Sequence, residues 1–130
     1  CKAPPVEVII RGSDTVLSYF RGFLQARSDK ILSLPDLGMI SFPRDAASHP
    51  DLISIDFQNN QMQTLPAKIN MFTCITSLNM CNNRLSAVPD QIGQLTTLKY
   101  LNLGTNNLLE LPETVGLLVG LDSLILNPNP

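Results

Sequence analysis

At 130 residues and 14.3 kDa the chain has room for one compact domain and none for an enzyme with a separate regulatory module. Its composition, 44% hydrophobic and 15% charged with a formal net charge of -2, excludes a disordered acidic tail and a strongly basic nucleic-acid-binding arm. Leu occurs 21 times and Asn 11 times while Trp is absent, a pairing that calls for a structural reason.

The three cysteines, Cys1, Cys74 and Cys81, lack the clustered spacing of disulfide-stapled secreted domains, so a reducing, cytoplasmic compartment is expected. No Asn opens an Asn-x-Ser/Thr sequon, and the longest apolar stretch, residues 115–121, is too short to span a bilayer. No membrane association is expected. The chain starts at Cys1 and stops at Asn129-Pro130, which gives the expectation of a piece from a longer polypeptide.

In chain order, residues 4–12 allow two readings: Val6, Val8 and Ile10 alternate like a strand, while Pro5 and the apolar-charged mix ending at Gly12 suit a helical turn. Ser13 and Asp14 then look like a helix start. Val16, Leu17, Phe20, Phe23 and Leu24 recur on one helical face, predicting a helix over about residues 14–26 in which Gly22 costs roughly 1 kcal/mol relative to Ala. Such a helix either caps an open apolar end downstream or offers a surface to a partner.

From Leu52 onward the sequence repeats itself every 23 residues. Leu52, Ile75, Leu98 and Leu121 mark the frame. Offset three holds Ile55, Leu78, Leu101 and Leu124; offset five holds Phe57, Met80, Leu103 and Leu126; offset eight is always Asn, at Asn60, Asn83, Asn106 and Asn129. Each complete repeat continues with an apolar pair and a proline, Pro66, Pro89 or Pro112. Shifted one step upstream to Asp29, the frame gives Leu32, Leu34, Met39, Phe42, Pro43 and Ala46, with Leu37 at the Asn position and His49 near the end, a degenerate first copy.

The pattern LxxLxLxxNxLxxLPxxIxxLxx over residues 29–130 resembles the leucine-rich repeat family, in its intracellular 23-residue form. The resemblance implies an α/β solenoid with a curved parallel sheet on its concave face, irregular or helical turns on the convex face and an N-terminal helical cap. The expected division is a turn and capping helix over residues 1–28, then repeats at 29–51 (degenerate), 52–74, 75–97, 98–120 and a truncated 121–130. Related intracellular chains follow a last strand with an Asn-Pro, a Pro-containing turn, a Gly-Ser/Thr and a short amphipathic helix. Pro4, Pro5, Gly12, Ser13, Val16, Leu17, Tyr19 and Phe20 resemble that continuation, which favours the turn reading for residues 4–12 and repeats on both sides of the helix.

Offset-eight asparagines fit a turn where backbone groups are buried between coils without sheet partners, because one carboxamide both donates and accepts. Asn60, Asn83, Asn106 and Asn129 are therefore expected to form a structural ladder, and Leu37 implies that the first coil needs no such bridge.

In a solenoid of this family the concave face carries binding. Its candidate residues here are Ser54, Asp56, Gln58, Ser77, Asn79, Cys81, Tyr100, Asn102, Ser123 and Ile125, with Tyr100 the first candidate hot spot. Short polar residues equally suit a curved, crowded sheet. Asp36, Asp45, Asp51 and Asp56 gather in the first two coils, where they either steer a basic partner or form a solvated loop face.

Catalytic readings find no support: His49 is the sole histidine, Cys74 and Cys81 have no metal-ligand spacing, and no phosphate loop, HExxH or GxSxG is present. No cofactor and no metal are expected. The concave columns hold no Lys or Arg, which argues against nucleic acid. The Leu-Pro-x-x-Ile/Val-x-x-Leu half resembles the Ras-group and scaffold branch, implying a non-catalytic scaffold for a small GTPase, phosphatase or other signalling protein. Two alternatives stay open: a sensor or regulatory segment of a larger enzyme or receptor, of Roco or nucleotide-binding immune type, or a spacer within a longer solenoid.

Overall fold

The computed structural model describes residues 3–130; Cys1 and Lys2, including the thiol counted above, lie outside the described residues. Each leucine-rich half-repeat contributes one three-residue strand: β1 (Ile31–Ser33), β2 (Ser54–Asp56), β3 (Ser77–Asn79), β4 (Tyr100–Asn102) and β5 (Ser123–Ile125). They lie side by side, all parallel, in chain order. Leu32, Ile55, Leu78 and Leu101 point into the core and are fully buried, as period-two alternation requires of a sheet with one face covered.

Opposite the strands, four 3-10 turns form the convex side: Arg44–Ser48, Ala67–Met71, Asp90–Gln94 and Glu113–Leu117. Each follows a proline in extended conformation, with φ between -67° and -72°. Proline presets the entry angle, and its carbonyl accepts the first turn bond, from Ala46, Ile69, Ile92 and Val115. Between the two sides one continuous core runs from Val8 to Leu118, filled by the repeat positions Phe57, Met62, Ile69, Phe72 and their equivalents. A coil cannot bury these alone; stacking does it.

Residues 4–12 form a helical turn, α1 (Val6–Ile9), rather than a strand, and Val8 is buried. Glu7 accepts from the Ile40 amide at 3.2 Å and Arg11 donates to the Asp36 carbonyl, so the turn is tied to the first coil. The second helix, α2 (Ser13–Asp29), runs three residues past the expected end and stops at Lys30, which adopts φ 64°. Its buried face also differs from the expected one. Tyr19, Gly22, Phe23 and Ala26 pack inward, whereas Leu17 and Leu24 are 47% and 62% exposed.

The reason is close approach. α2 lies across β1, and a β-carbon on Gly22 would stand 2.4 Å from Leu34 Cδ2 and 2.9 Å from the Ser33 carbonyl oxygen. Gly22 is the contact point that lets the helix cover the apolar end of the first coil, not a flaw in it. His49 is half-buried with its ring 5.6 Å from Phe23, beneath that cap.

Candidate interaction surface

The strand registers bring the expected concave residues into two straight columns. One runs Ile31, Ser54, Ser77, Tyr100, Ser123; the other runs Ser33, Asp56, Asn79, Asn102, Ile125. Tyr100 is half-buried between Ser77 and Ser123, and its phenol oxygen accepts from Asn102 Nδ2 at 3.1 Å. At the ends of the columns Ile31 and Ile125 are 38% and 37% exposed.

The second column does more than face solvent. Asp56 Oδ1 accepts the Gln58 amide at 3.1 Å, Asn79 Oδ1 the Cys81 amide at 3.1 Å, and Asn102 Oδ1 the Gly104 amide at 3.0 Å. Each is an Asx turn that closes the bend after its strand. In the first coil the acceptor is replaced by Ser33 and the residue two on is Pro35, which has no amide to satisfy. From sequence alone Asp56, Asn79 and Asn102 stand equally as recognition groups and as short polar residues suited to a crowded sheet, and their turn-closing role is not apparent. The available signal was the i, i+2 pairing of Asp or Asn with a residue bearing an N–H.

One position further, Asp36, Asn59, Asn82 and Thr105 adopt φ between 54° and 59°, which turns the chain away from the sheet. Asn82 Nδ2 donates to Asn59 Oδ1 at 2.8 Å, extending a polar rim along the concave edge. Cys81 is half-buried beside it and Cys74 is exposed; both are free thiols.

Behind this rim the asparagines of offset eight are buried, each 7% exposed for Asn60, Asn83 and Asn106. Asn60 Oδ1 accepts from the Leu37 and Met39 amides at 3.1 and 3.0 Å while Nδ2 donates to the Leu34 and Phe57 carbonyls, both at 2.9 Å. Asn83 does the same for Met62, Phe57 and Met80, and Asn106 for Leu85, Met80 and Leu103. Asn129 accepts from Leu108 and donates to Leu103 and Leu126. Every bridge points back to the preceding coil. Leu37 belongs to the first coil, with no coil behind it to bridge.

Three of the four aspartates of the first two coils are engaged by local partners. Asp45 accepts from the Tyr19 phenol at 3.1 Å, Asp51 pairs with Lys30 at 2.9 Å, and Asp56 closes its own turn. The hydrogen bond from Lys30 holds the Asp51 carboxyl below the usual carboxylate range. Among the described residues no three His, Cys, Asp or Glu side chains converge as a metal site would require, and no helix is long and apolar enough to cross a membrane.

Residues 73–130 match the family model described as leucine rich repeat. Two solved structures resemble three quarters of the chain. A leucine-rich repeat protein of Leptospira interrogans superposes with a TM-score of 0.59 at 25% identity, covering 75% of this chain and 31% of that one. A chain of the BIR3–SERK2 complex from Arabidopsis thaliana superposes with a TM-score of 0.68 at 25% identity, covering 75% of this chain and 55% of that one. The chain therefore spans about a third and about half of these two relatives. No curated protein matches it. Together with the coil geometry these likenesses show a leucine-rich repeat fold, with the family's sequence pattern matched over residues 73–130.

Proposed function

We propose that this protein is a non-catalytic recognition module that holds a protein partner on the concave face of its sheet, in cytoplasmic signalling. The observation that carries the reading is the pair of register-aligned columns, in which Ser54, Ser77, Tyr100 and Ser123 stand beside Asp56, Asn79 and Asn102 at strand spacing. Groups mounted on paired strands are already ordered, so little freedom is lost when a partner docks. Tyr100 is the one aromatic ring in these columns and serves as the anchor.

Two further points support the reading. The solenoid resembles a chain of a protein–protein complex, BIR3–SERK2. The Leu-Pro-x-x-Ile/Val-x-x-Leu half of each repeat resembles the Ras-group and scaffold branch, which favours a small GTPase, a phosphatase or another signalling protein as partner.

The test is a quantitative pull-down from cell lysate comparing the wild type with a triple variant, Ser54→Arg, Ser77→Arg and Tyr100→Glu. Asn79 is left intact because its side chain holds the Cys81 amide. Partners captured by the wild type and lost by a triple variant of unchanged melting temperature support concave recognition. Identical partner lists overturn it and favour a structural spacer.

A further inference from the structure

The convex side is not uniform. The turn Ala67–Met71 packs directly on Asp90–Gln94, and that turn on Glu113–Leu117, but Arg44–Ser48 has almost no contact with Ala67–Met71. The side chains along the first junction differ from those of the second. Asn70 bridges the second and third turns by donating to Gln94 Oε1 at 3.0 Å, whereas its counterpart in the first coil is Ala47, with no group to reach across. Ala46 likewise replaces the Ile69 and Ile92 of later coils.

A cavity of about 340 Å³ opens there. Its floor is aromatic and thioether, built by Phe42, Phe72 and Met71, with the Phe42 and Phe72 rings 6.0 Å apart. Arg44 and Lys68 line it from opposite coils, and no carboxylate does. Both cations are exposed and neither makes an ion pair with a described residue. Asp45, the acid nearest in sequence, is turned instead towards Tyr19. At the position of Arg44 the third and fourth coils carry Asp90 and Glu113, so among the four convex turns the basic side chains are Arg44 and Lys68, both on this groove.

We propose that this groove is a second docking site, separate from the concave face, for a short acidic peptide segment. One bulky apolar side chain of the segment seats on the floor formed by Phe42, Met71 and Phe72, and flanking carboxylates pair with Arg44 and Lys68. The volume is at the lower end of side-chain and small-ligand pockets, which suits a single anchor. An apolar floor with two like charges on its rim selects for an anchor bracketed by opposite charge and rejects a basic segment.

The experiment is fluorescence anisotropy on the full chain with a labelled Asp-Glu-Phe-Asp-Glu peptide, alongside a Lys-Lys-Phe-Lys-Lys peptide and an acidic one with Ala in place of Phe. Expected is saturable binding of the first peptide alone, weakened about tenfold or more by the double variant Arg44→Glu and Lys68→Glu and by Ala47→Trp, which fills the groove. Both sets of substitutions lie on exposed positions, and unchanged melting temperatures confirm the fold. Absence of binding, equal binding of the basic peptide, or affinity indifferent to both variants overturns the proposal. Self-association of the free protein that Ala47→Trp abolishes also overturns it, by assigning the groove to a second copy of this chain.

Discussion

Gly22 and Leu34 are in direct contact: there is no space for even one carbon between the α2 backbone and the Leu34 side chain, with the Ser33 carbonyl fixed alongside. Ala is the better helix former by roughly 1 kcal/mol, yet Gly22→Ala must push the cap off the first coil. The expected result is a net loss of about 1–3 kcal/mol, read from the urea midpoint. A raised midpoint would mean that the cap slides freely over β1.

The asparagine ladder gives a second test. Asn83→Ala leaves the Met62 amide and the Phe57 carbonyl without this partner in the interior, at a cost of about 1–3 kcal/mol. Asn107 is exposed, and Asn107→Ala should change stability by no more than about 0.5 kcal/mol. Equal effects in chemical denaturation would remove the special standing of offset eight.

Thr105 occupies a backbone conformation with φ 54° that its branched side chain resists, where the second and third coils place Asn59 and Asn82. Thr105→Asn should therefore stabilise the protein, by about 1 kcal/mol. A guanidinium midpoint that fails to rise would show that the strain is relieved elsewhere.

Burial, together with the adjacent Asp45 carboxylate that accepts its hydrogen bond, pushes the Tyr19 phenol well above the ordinary tyrosine range. The folded state thus holds this proton more tightly than the unfolded chain, whose tyrosine titrates near pH 10. Stability from the group is complete below about pH 10 and is lost as the pH rises beyond it, by up to ~1.4 kcal/mol per unit. Tyr19→Phe, with no proton to lose, should show a shallower fall in melting temperature between about pH 9.5 and 11. Parallel curves for the two proteins would contradict this.

The period of 23 made the solenoid, its inward leucines and the positions of its strands legible, because one rule is written several times and each copy checks the others. Features that occur once were harder to read. The helix face was misassigned because counting large apolar residues favours Leu17 and Leu24, whereas the geometry is set by the small residues Gly22 and Ala26 that permit close contact. The turn-closing roles of Asp56, Asn79 and Asn102 escaped notice because a side chain on a solvent-facing column looks unspent until its backbone partner two residues on is seen. The convex groove was invisible for a related reason. It lies beside two small side chains, Ala46 and Ala47, that no motif marks.

Because each buried asparagine completes the turn of the coil before it, the unit of structure is out of phase with the unit of sequence. No coil is finished by its own 23 residues. Yet the junctions between coils repeat the same carboxamide bridge, so removing residues 61–83 would bring Arg84, Leu85 and the rest of that coil directly after Asn60 with the equivalent partners in place. A chain wired in this way changes length in whole turns without rewriting its neighbours, and its record of gained and lost coils is kept in the reading frame of a single amide.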